Sequence, residues 1–301
     1  MEKPSNPLAV QNPEKPEEVA FWSSSGLQRM LKKANYKLLG LAWGFNPTNR
    51  VRKINRALAP GSLARTADQT FAASADIPFP VGGYILAGGR SSRMGSDKAL
   101  LQLAGKPLIQ HAVAKLRKTC ANVHILSSNS ALSPYAPLVA DIHPNCGPIG
   151  GMESALTHSA FDWNLFLAVD MPFLPTACIA SWISQWIQSA GDGPRIRMFT
   201  ADGRPQPGFC LLHKEVLPFL SKAINRDNFK LMRVFEEAGR EFAQRRGYPP
   251  EAGLAIQEDA NGLEIVEVSS AQQAAQHLWF ANLNTPADFI EAEAHSDALD
   301  P

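Results

Sequence analysis

From residue 82 onward the chain alternates short apolar runs with helix-length segments. The runs are Gly83–Ala87, Asn122–Ser127, Asn164–Val169, Ile196–Thr200, Gly208–Leu212 and Leu263–Val268; between several of them lie Leu108–Thr119, Met152–Ser159, Pro175–Ser189, Lys214–Ile224 and Leu231–Ala238. A strand covered on both faces needs a short, nearly unbroken apolar run, and strands of this kind alternating with helices predict βαβ units. The pattern therefore predicts an α/β domain built on a doubly wound, mostly parallel sheet of Rossmann type. In such sheets a ligand sits beyond the carboxyl ends of the strands, so the loops after Ala87, Ser127 and Val169 are where chemistry is expected.

The first 80 residues differ in kind. The opening twenty hold four prolines and four acids and read as a solvated tail. Phe21, Trp22, Leu27, Met30, Leu31, Tyr36, Leu38, Leu41 and Trp43 are then interleaved with Arg29, Lys32, Lys33 and Lys37, at a spacing close to that of one or two amphipathic helices. Residues 59–80, rich in Ala, Ser, Pro and Gly, read as a linker. The expected organisation is an N-terminal helical or partly disordered extension over residues 1–80, followed by the α/β domain over residues 81–295. Charge divides the same way: Lys and Arg number 11 against 6 acids through residue 80, and 18 against 22 over the remainder.

Composition narrows the class further. With 301 residues, 45% hydrophobic and 19% charged, the chain is long enough for one large domain plus an appendage, and collagen, coiled coil and wholesale disorder are excluded. No apolar run approaches the ~18 residues of a membrane span, and a signal-peptide pattern is lacking, so a cytoplasmic location is expected. Cys120, Cys146, Cys178 and Cys210 lie far apart without a C-x-x-C pair and are expected to be reduced core residues.

The loop after the first run carries the densest chemistry. It reads Leu86-Ala87-Gly88-Gly89-Arg90-Ser91-Ser92-Arg93-Met94-Gly95-Ser96-Asp97-Lys98. Two glycines at a strand end let backbone amides approach an anion closely, and successive amides in such a turn form an anion-binding concavity. Arg90, Arg93 and Lys98 add three cations, which suits a triphosphate. The spacing is neither a Walker A loop nor G-x-G-x-x-G. Asp170, at the carboxyl end of Leu165–Val169, offers a carboxylate for Mg²⁺, which favours oxygen ligands shared with phosphates and water; the alternative is a helix cap before Pro172.

This segment resembles the signature of the MobA-like nucleotidyltransferase family, L-A-G-G-x-x-x-R-M-G-x-D-K. Four later segments resemble the family in the same order: Gly105-Lys106-Pro107-Leu108, Gly147-Pro148-Ile149-Gly150-Gly151-Met152, Asp170-Met171-Pro172-Phe173-Leu174-Pro175 and Asn282-Leu283-Asn284-Thr285-Pro286-Ala287-Asp288. The likeness covers about residues 82–292 and is nearest to the guanylyl-transferring, molybdenum-cofactor branch. It implies catalytic roles for Arg93, Lys98 and Asp170, with Asp170 on Mg²⁺. It further implies nucleotide contacts from Leu86, Ala87, Gly88, Gly89, Lys98, Ser127, Asp141, Asp170, Asn282 and Asn284. Implied substrates are GTP as donor and molybdopterin, as the molybdenum cofactor, as acceptor, with proteins of molybdoenzyme biosynthesis as partners.

Some positions keep two readings. Asp141 is either a guanine contact or a surface aspartate, and Asn282 and Asn284 are either ligand-facing or ordinary turn residues before Pro286. Ser127 stands where the family carries an asparagine, with Asn129 two residues on. Gln206 and Pro207, before the run Gly208–Leu212, resemble the family's acceptor-lining segment. His111, His143, His158 and His213 make no metal spacing, and Trp163, Trp182, Trp186 and Trp279 read as core. Gly88, where cytidine-using relatives tend to carry alanine, favours GTP. Three competing functions are a cytidylyl- or sugar-phosphate nucleotidyltransferase of the same fold, a non-catalytic cofactor-delivery protein, and a nucleic-acid-binding N-terminal arm. The intact Arg93, Lys98 and Asp170 speak against the second, and the missing basic motif against the third.

Overall fold

The computed structural model describes residues 79–88, 97–188, 193–201, 203–258 and 268–301. The basic stretch at 21–43, the linker up to residue 78, Gly89, Arg90, Arg93 and the expected strand Leu263–Val268, except Val268 itself, lie outside them.

In chain order the elements are β1 (Phe79–Leu86), a small hairpin of β2 (Gln102–Leu103) and β3 (Lys106–Pro107), α1 (Leu108–Thr119), β4 (Cys120–Leu126) and β5 (Leu138–Val139). Then come α2 (Pro148–His158), β6 (Trp163–Ala168), α3 (Thr176–Gln188), β7 (Ile196–Ala201), β8 (Arg204–His213), α4 (Leu217–Ile224), α5 (Leu231–Arg245), β9 (Leu254–Glu258), α6 (Ser270–Ala274) and α7 (Pro286–Ala294). Seven strands form one sheet in the order β5-β4-β1-β6-β8-β7-β9. Only β8 runs against its neighbours, so the sheet is mostly parallel, as the alternating pattern predicts.

Alternation along the strands divides the core into two layers. Val81, Ile85, Leu165 and Leu167 face one side with Leu108, Ile109, Ala112 and Leu116 of α1 and Cys178, Ile179 and Trp182 of α3. Tyr84 and Phe166 face the other, against Ile149, Met152 and Leu156 of α2 and the apolar stripes of α4 and α5. The doubly wound arrangement follows from apolar residues on both faces of β1 and β6, which need cover on both sides. All four cysteines are free and buried, and burial pushes the thiols of Cys120 and Cys178 up to about 12. Trp182 and Trp279 are core residues, and Trp163 and Trp186 hold the buried Arg197 guanidinium between their rings at 4.5 and 4.4 Å.

Several boundaries differ from the sequence reading, among them the start of α2 at Pro148 rather than Met152. Strand β1 starts at Phe79, inside the stretch read as linker; its pairing with β4 shifts register between Phe79 and Gly82, so Pro80 is not asked for a ladder N–H. Helix α5 continues to Arg245 through Gly239, which the sequence leaves as an end and which is a close crossing: a Cβ there would stand 3.0 Å from the carbonyl carbon of Gly253. Strand β9 pairs in parallel with β7 at the sheet edge and was not anticipated, since Leu254–Glu258 has too few β-branched or aromatic residues to read as a strand.

One buried charge ties the first layer together. Lys115 of α1, with 2% of its side chain exposed, pairs with Asp300. The same carboxylate accepts from Thr176 N at 3.1 Å, Thr176 Oγ1 at 2.7 Å and Gln272 Nε2 at 2.8 Å, so it also caps the first turn of α3 and holds α6. Burial pushes the Asp300 carboxyl up, but Lys115 and Thr176 outweigh it and hold it below the usual carboxylate range. Removing one partner of a buried pair leaves the other uncompensated. Asp300→Ala is therefore expected to cost about 3–5 kcal/mol, read as a fall in the urea midpoint without change in slope.

Candidate active site

The parallel strands deliver their carboxyl ends to one edge of the sheet, and the loops that follow them meet there. Leu86, Ala87 and Gly88 lead out of β1, and Val169 N, just past β6, donates to Leu86 O at 3.2 Å, which sets the two loops side by side. Lys98 begins a 3-10 turn whose cap is Asp97, the Asp97 side chain accepting from Ala99 N at 3.0 Å. From that turn Lys98 Nζ donates to Asp170 Oδ2 at 2.5 Å and to Asn284 Oδ1 at 2.8 Å. Both charged side chains are largely shielded, at 17% and 16% exposure. The expected phosphate-binding cation and the expected metal carboxylate are thus in direct contact, and Asp170 lies in a turn rather than capping a helix.

The Asn284 turn is fixed from two sides. Leu283 N donates to Asp170 O at 3.0 Å, and Asn284 Nδ2 to Asn282 O at 3.2 Å. Asp288 accepts from Asn284 N at 2.6 Å and from Thr285 N at 2.8 Å, while its own N–H donates to Thr285 Oγ1 at 3.2 Å. Thr285 and Asp288 form a reciprocal cap at the start of α7, and these bonds hold the Asp288 carboxyl below its ordinary range. Asn284 thus takes part in the turn before Pro286 and also meets Lys98, while Asn282 contributes its backbone carbonyl.

A second chain of bonds crosses the edge toward β4. Asn129 Nδ2 donates to Asp97 Oδ2 at 2.5 Å, and Asn129 N donates to Ser127 Oγ at 3.1 Å. Ser127 is buried, and its hydroxyl oxygen already accepts from the backbone of Asn129. Asp97 and Asn129 had no role in the sequence reading, although Asp97 stands inside the quoted signature.

Asp141 follows β5, apart from the Lys98 group. Its carboxylate packs against the first turn of α2, with Oδ2 3.7 Å from where a Cβ of Gly150 would stand and Oδ1 3.6 Å from that of Gly151. Burial raises the Asp141 pKa, and no cation pairs with it among the described residues. The neighbouring backbone is tethered to α2: Ile142 N donates to Ser154 Oγ at 2.7 Å, and His143 Nδ1 bonds Glu153 Oε2 at 2.6 Å. Glu153 and Ser154 were not singled out in the sequence. Gln206 and Pro207 lie within β8 rather than before it.

The histidines are structural, as expected. His111 Nε2 bonds Leu103 O at 3.0 Å, His158 Nδ1 meets Tyr84 Oη at 3.4 Å, and His213 accepts from Glu215 N at 3.2 Å. Among the described residues no three His, Cys, Asp or Glu side chains form a metal cluster, and no helix is long and apolar enough to cross a membrane. The oxygens of Asp170 and Asn284 nevertheless suit Mg²⁺, which needs only one or two protein oxygens when phosphates and water complete its shell.

The sequence matches the MobA-like NTP transferase domain over residues 83–242. It is 36% identical over 164 residues to the molybdenum cofactor guanylyltransferase of Serratia proteamaculans (strain 568), covering 52% of this chain and 80% of that protein. The molybdenum cofactor guanylyltransferase of Vibrio cholerae serotype O1 is also 36% identical, over 166 residues, covering 53% and 79%. The fold is similar to that of molybdopterin-guanine dinucleotide biosynthesis protein A from Archaeoglobus fulgidus, with a TM-score of 0.55 at 21% identity, over 72% of this chain and 99% of that one.

The two glycines of α2 carry different constraints. A Cβ on Gly150 would stand 2.9 Å from His143 O, a backbone atom that cannot swing aside, whereas the nearest atom to a Cβ on Gly151 is 3.5 Å away. Gly150→Ala is expected to cost about 1–3 kcal/mol through overpacking. Gly151→Ala is expected to be neutral or to gain up to about 1 kcal/mol from helix propensity. Urea midpoints of the two variants separate these outcomes.

Proposed function

Because the chain belongs to the MobA-like NTP transferase family and is a nucleotidyltransferase, we propose that it transfers GMP from GTP to the terminal phosphate of molybdopterin, with release of pyrophosphate. The observation that carries this reading is the convergence of Lys98, Asp170 and Asn284 beside Gly88 at the carboxyl edge of the sheet. The relatives named as molybdenum cofactor guanylyltransferases support the choice of donor and acceptor.

In this reading the GTP triphosphate lies over the loop after β1, where the amides from Gly88 onward and Lys98 bind its oxygens. Arg93, outside the described residues, is assigned to the same charge by its place in the loop. Asp170 and Asn284 would hold Mg²⁺, which when bound supplies Lewis-acid neutralisation of the phosphates. Lys98 exchanges partners on binding, a triphosphate oxygen offering the charge that Asp170 offers in the free protein. The acceptor phosphate is already an anion at neutral pH, so attack on the α-phosphorus needs no general base and depends on positioning and charge neutralisation. Asp141 faces the guanine edge as an acceptor for its N1–H and exocyclic amine. Ser127 adds a hydroxyl on the same side, Leu86 and Ala87 set the strand end, and Asn282 supports the turn of Asn284. Among the described residues a Cβ at Gly88 would meet Leu126 O alone, at 3.5 Å, an ordinary contact.

Lys98→Ala and Asp170→Ala are each expected to lower turnover on the order of 10²-fold or more without unfolding the chain, as pyrophosphate release and a thermal melt would record. Full activity in either variant removes the assignment. With molybdopterin as acceptor, GTP is expected to outcompete CTP and ATP; preference for CTP moves the protein to the cytidylyl branch. A chain beginning at residue 76, three residues before β1, is expected to fold and turn over, and failure to fold assigns the N-terminal segment to the core.

A further inference from the structure

A half-buried carboxylate with no cation beside it gains by swinging outward into water unless its backbone is held. Asp141 is such a group: it is half-buried, packs against Gly150 and Gly151 and has no charge partner among the described residues. Its own bonds do not explain why it stays. The explanation lies in its two neighbours, which are tied in succession to successive residues of α2. Ile142 N donates to Ser154 Oγ at 2.7 Å, and that hydroxyl donates in turn to Gly150 O at 2.9 Å. His143 Nδ1 bonds Glu153 Oε2 at 2.6 Å, and the other oxygen of Glu153 accepts from Ser221 Oγ of α4 at 2.7 Å.

The Glu153 side chain is 5% exposed while its histidine partner is 48% exposed. A buried carboxylate satisfied by one residue of the loop and one of the next helix is a rigid post rather than a surface ion pair. Neither tether touches the Lys98 group.

We propose that Ser154 and Glu153, the latter acting through His143 and steadied by Ser221, are positioning residues that hold the Asp141 carboxylate in its half-buried place against α2 and thereby set guanine affinity. The inference rests on the reading of Asp141 as the guanine contact. A carboxylate held in one place on a braced loop is a preorganised acceptor: its orientation is set before the two N–H donors of guanine arrive, and it has no competing protein donor to release. Loosening either tether lets the carboxylate swing further into water before the base binds.

The consequence for pH follows in sign. Burial raises Asp141 above its usual value of 3.8, so GTP affinity is lost on acidification at a higher pH than an ordinary aspartate would give. The other titratable groups around this loop are His143, Cys146, Glu153 and Asp227. Ser154→Ala changes none of them. In that variant Asp141 rehydrates, its pKa falls toward the ordinary range, and the acid limb of GTP affinity moves to lower pH.

The test is a binding titration of GTP with Mg²⁺ on the full chain, for Ser154→Ala and His143→Ala, alone and combined with Asp141→Ala, each first shown to melt cooperatively. Each single variant is expected to weaken GTP about five-fold, the worth of one hydrogen bond, and to have no further effect once Asp141 is gone. Equal five-fold losses in the presence and absence of Asp141 overturn the proposal, as does an acid limb that Ser154→Ala leaves in place. If Asp141→Ala alone leaves GTP affinity unchanged, the guanine reading fails and the tether with it. If that variant weakens GTP while the tether variants do not, the reading stands and the tether alone is overturned.

Discussion

The contact between Lys98 and Asp170 is the constraint on which the site depends. It joins loops 72 residues apart in sequence, and Asn284, from a turn 186 residues beyond Lys98, closes it. Such a contact forms only if β1 and β6 are adjacent and parallel and if α7 brings its first turn back over their ends, so it integrates the whole domain. With both side chains shielded, the pair neutralises two charges that would otherwise face each other's hydration cost. Removing the cation alone leaves a carboxylate with one neutral neighbour, whereas a polyanionic ligand supplies an exchange of partners rather than a loss.

The scaffold behind that contact is rigid for reasons of packing and of buried polar bonds together. Apolar residues on both faces of β1 and β6 require two helical layers, and these fix the strand ends in space. The Asp300 carboxylate then ties α1, α3 and α6 into one unit on one layer, and the Glu153 carboxylate ties α2 and α4 on the other. Each is a buried acid with several donors, so each specifies an arrangement more than it adds raw stability. The functional edge is framed by these two posts, one on each side of the sheet.

How much of this was legible in the sequence follows from the range of the interactions. The strands β1, β4, β6, β7 and β8 and the helices α1 and α3 lie close to where local apolar patterning puts them, because a doubly covered strand and an amphipathic helix are written in neighbouring residues. Lys98 and Asp170 stand out by their places at strand ends and Asn284 through the family resemblance, but their mutual contact could not be read, because no local rule relates positions so far apart. Asp97 and Asp288 left a signal that was passed over: both are short-range capping residues, and the Thr285-Pro286-Ala287-Asp288 spacing is that of a capping box. Glu153 left none, since an acid in the second turn of a helix is ordinarily solvated and only the burial of α2 against α4 makes it otherwise. Strand β9 was missed because its sheet partner, not its composition, makes it a strand.

The two halves of the site treat charge in opposite ways, and the contrast explains the division of labour in the proposed reading. At the phosphate end the carboxylate of Asp170 is compensated by Lys98 before any ligand arrives, so incoming charge meets a neutral, already dehydrated pair that need only re-partner. At the base end Asp141 is left uncompensated, its pKa raised by burial, and held by tethers on its neighbours. A compensated site tolerates any triphosphate, because the exchange it offers depends on charge alone. An uncompensated acceptor rewards a base edge that brings two donors, and an edge presenting an acceptor instead leaves the carboxylate unpaired and repelled. In the proposed reading, affinity common to all nucleotides comes from Lys98, Asp170 and the turn before α7, and discrimination among them from the loop after β5 braced on α2 together with Gly88. A change in base preference is then made at those last two places, with Lys98 and Asp170 left intact.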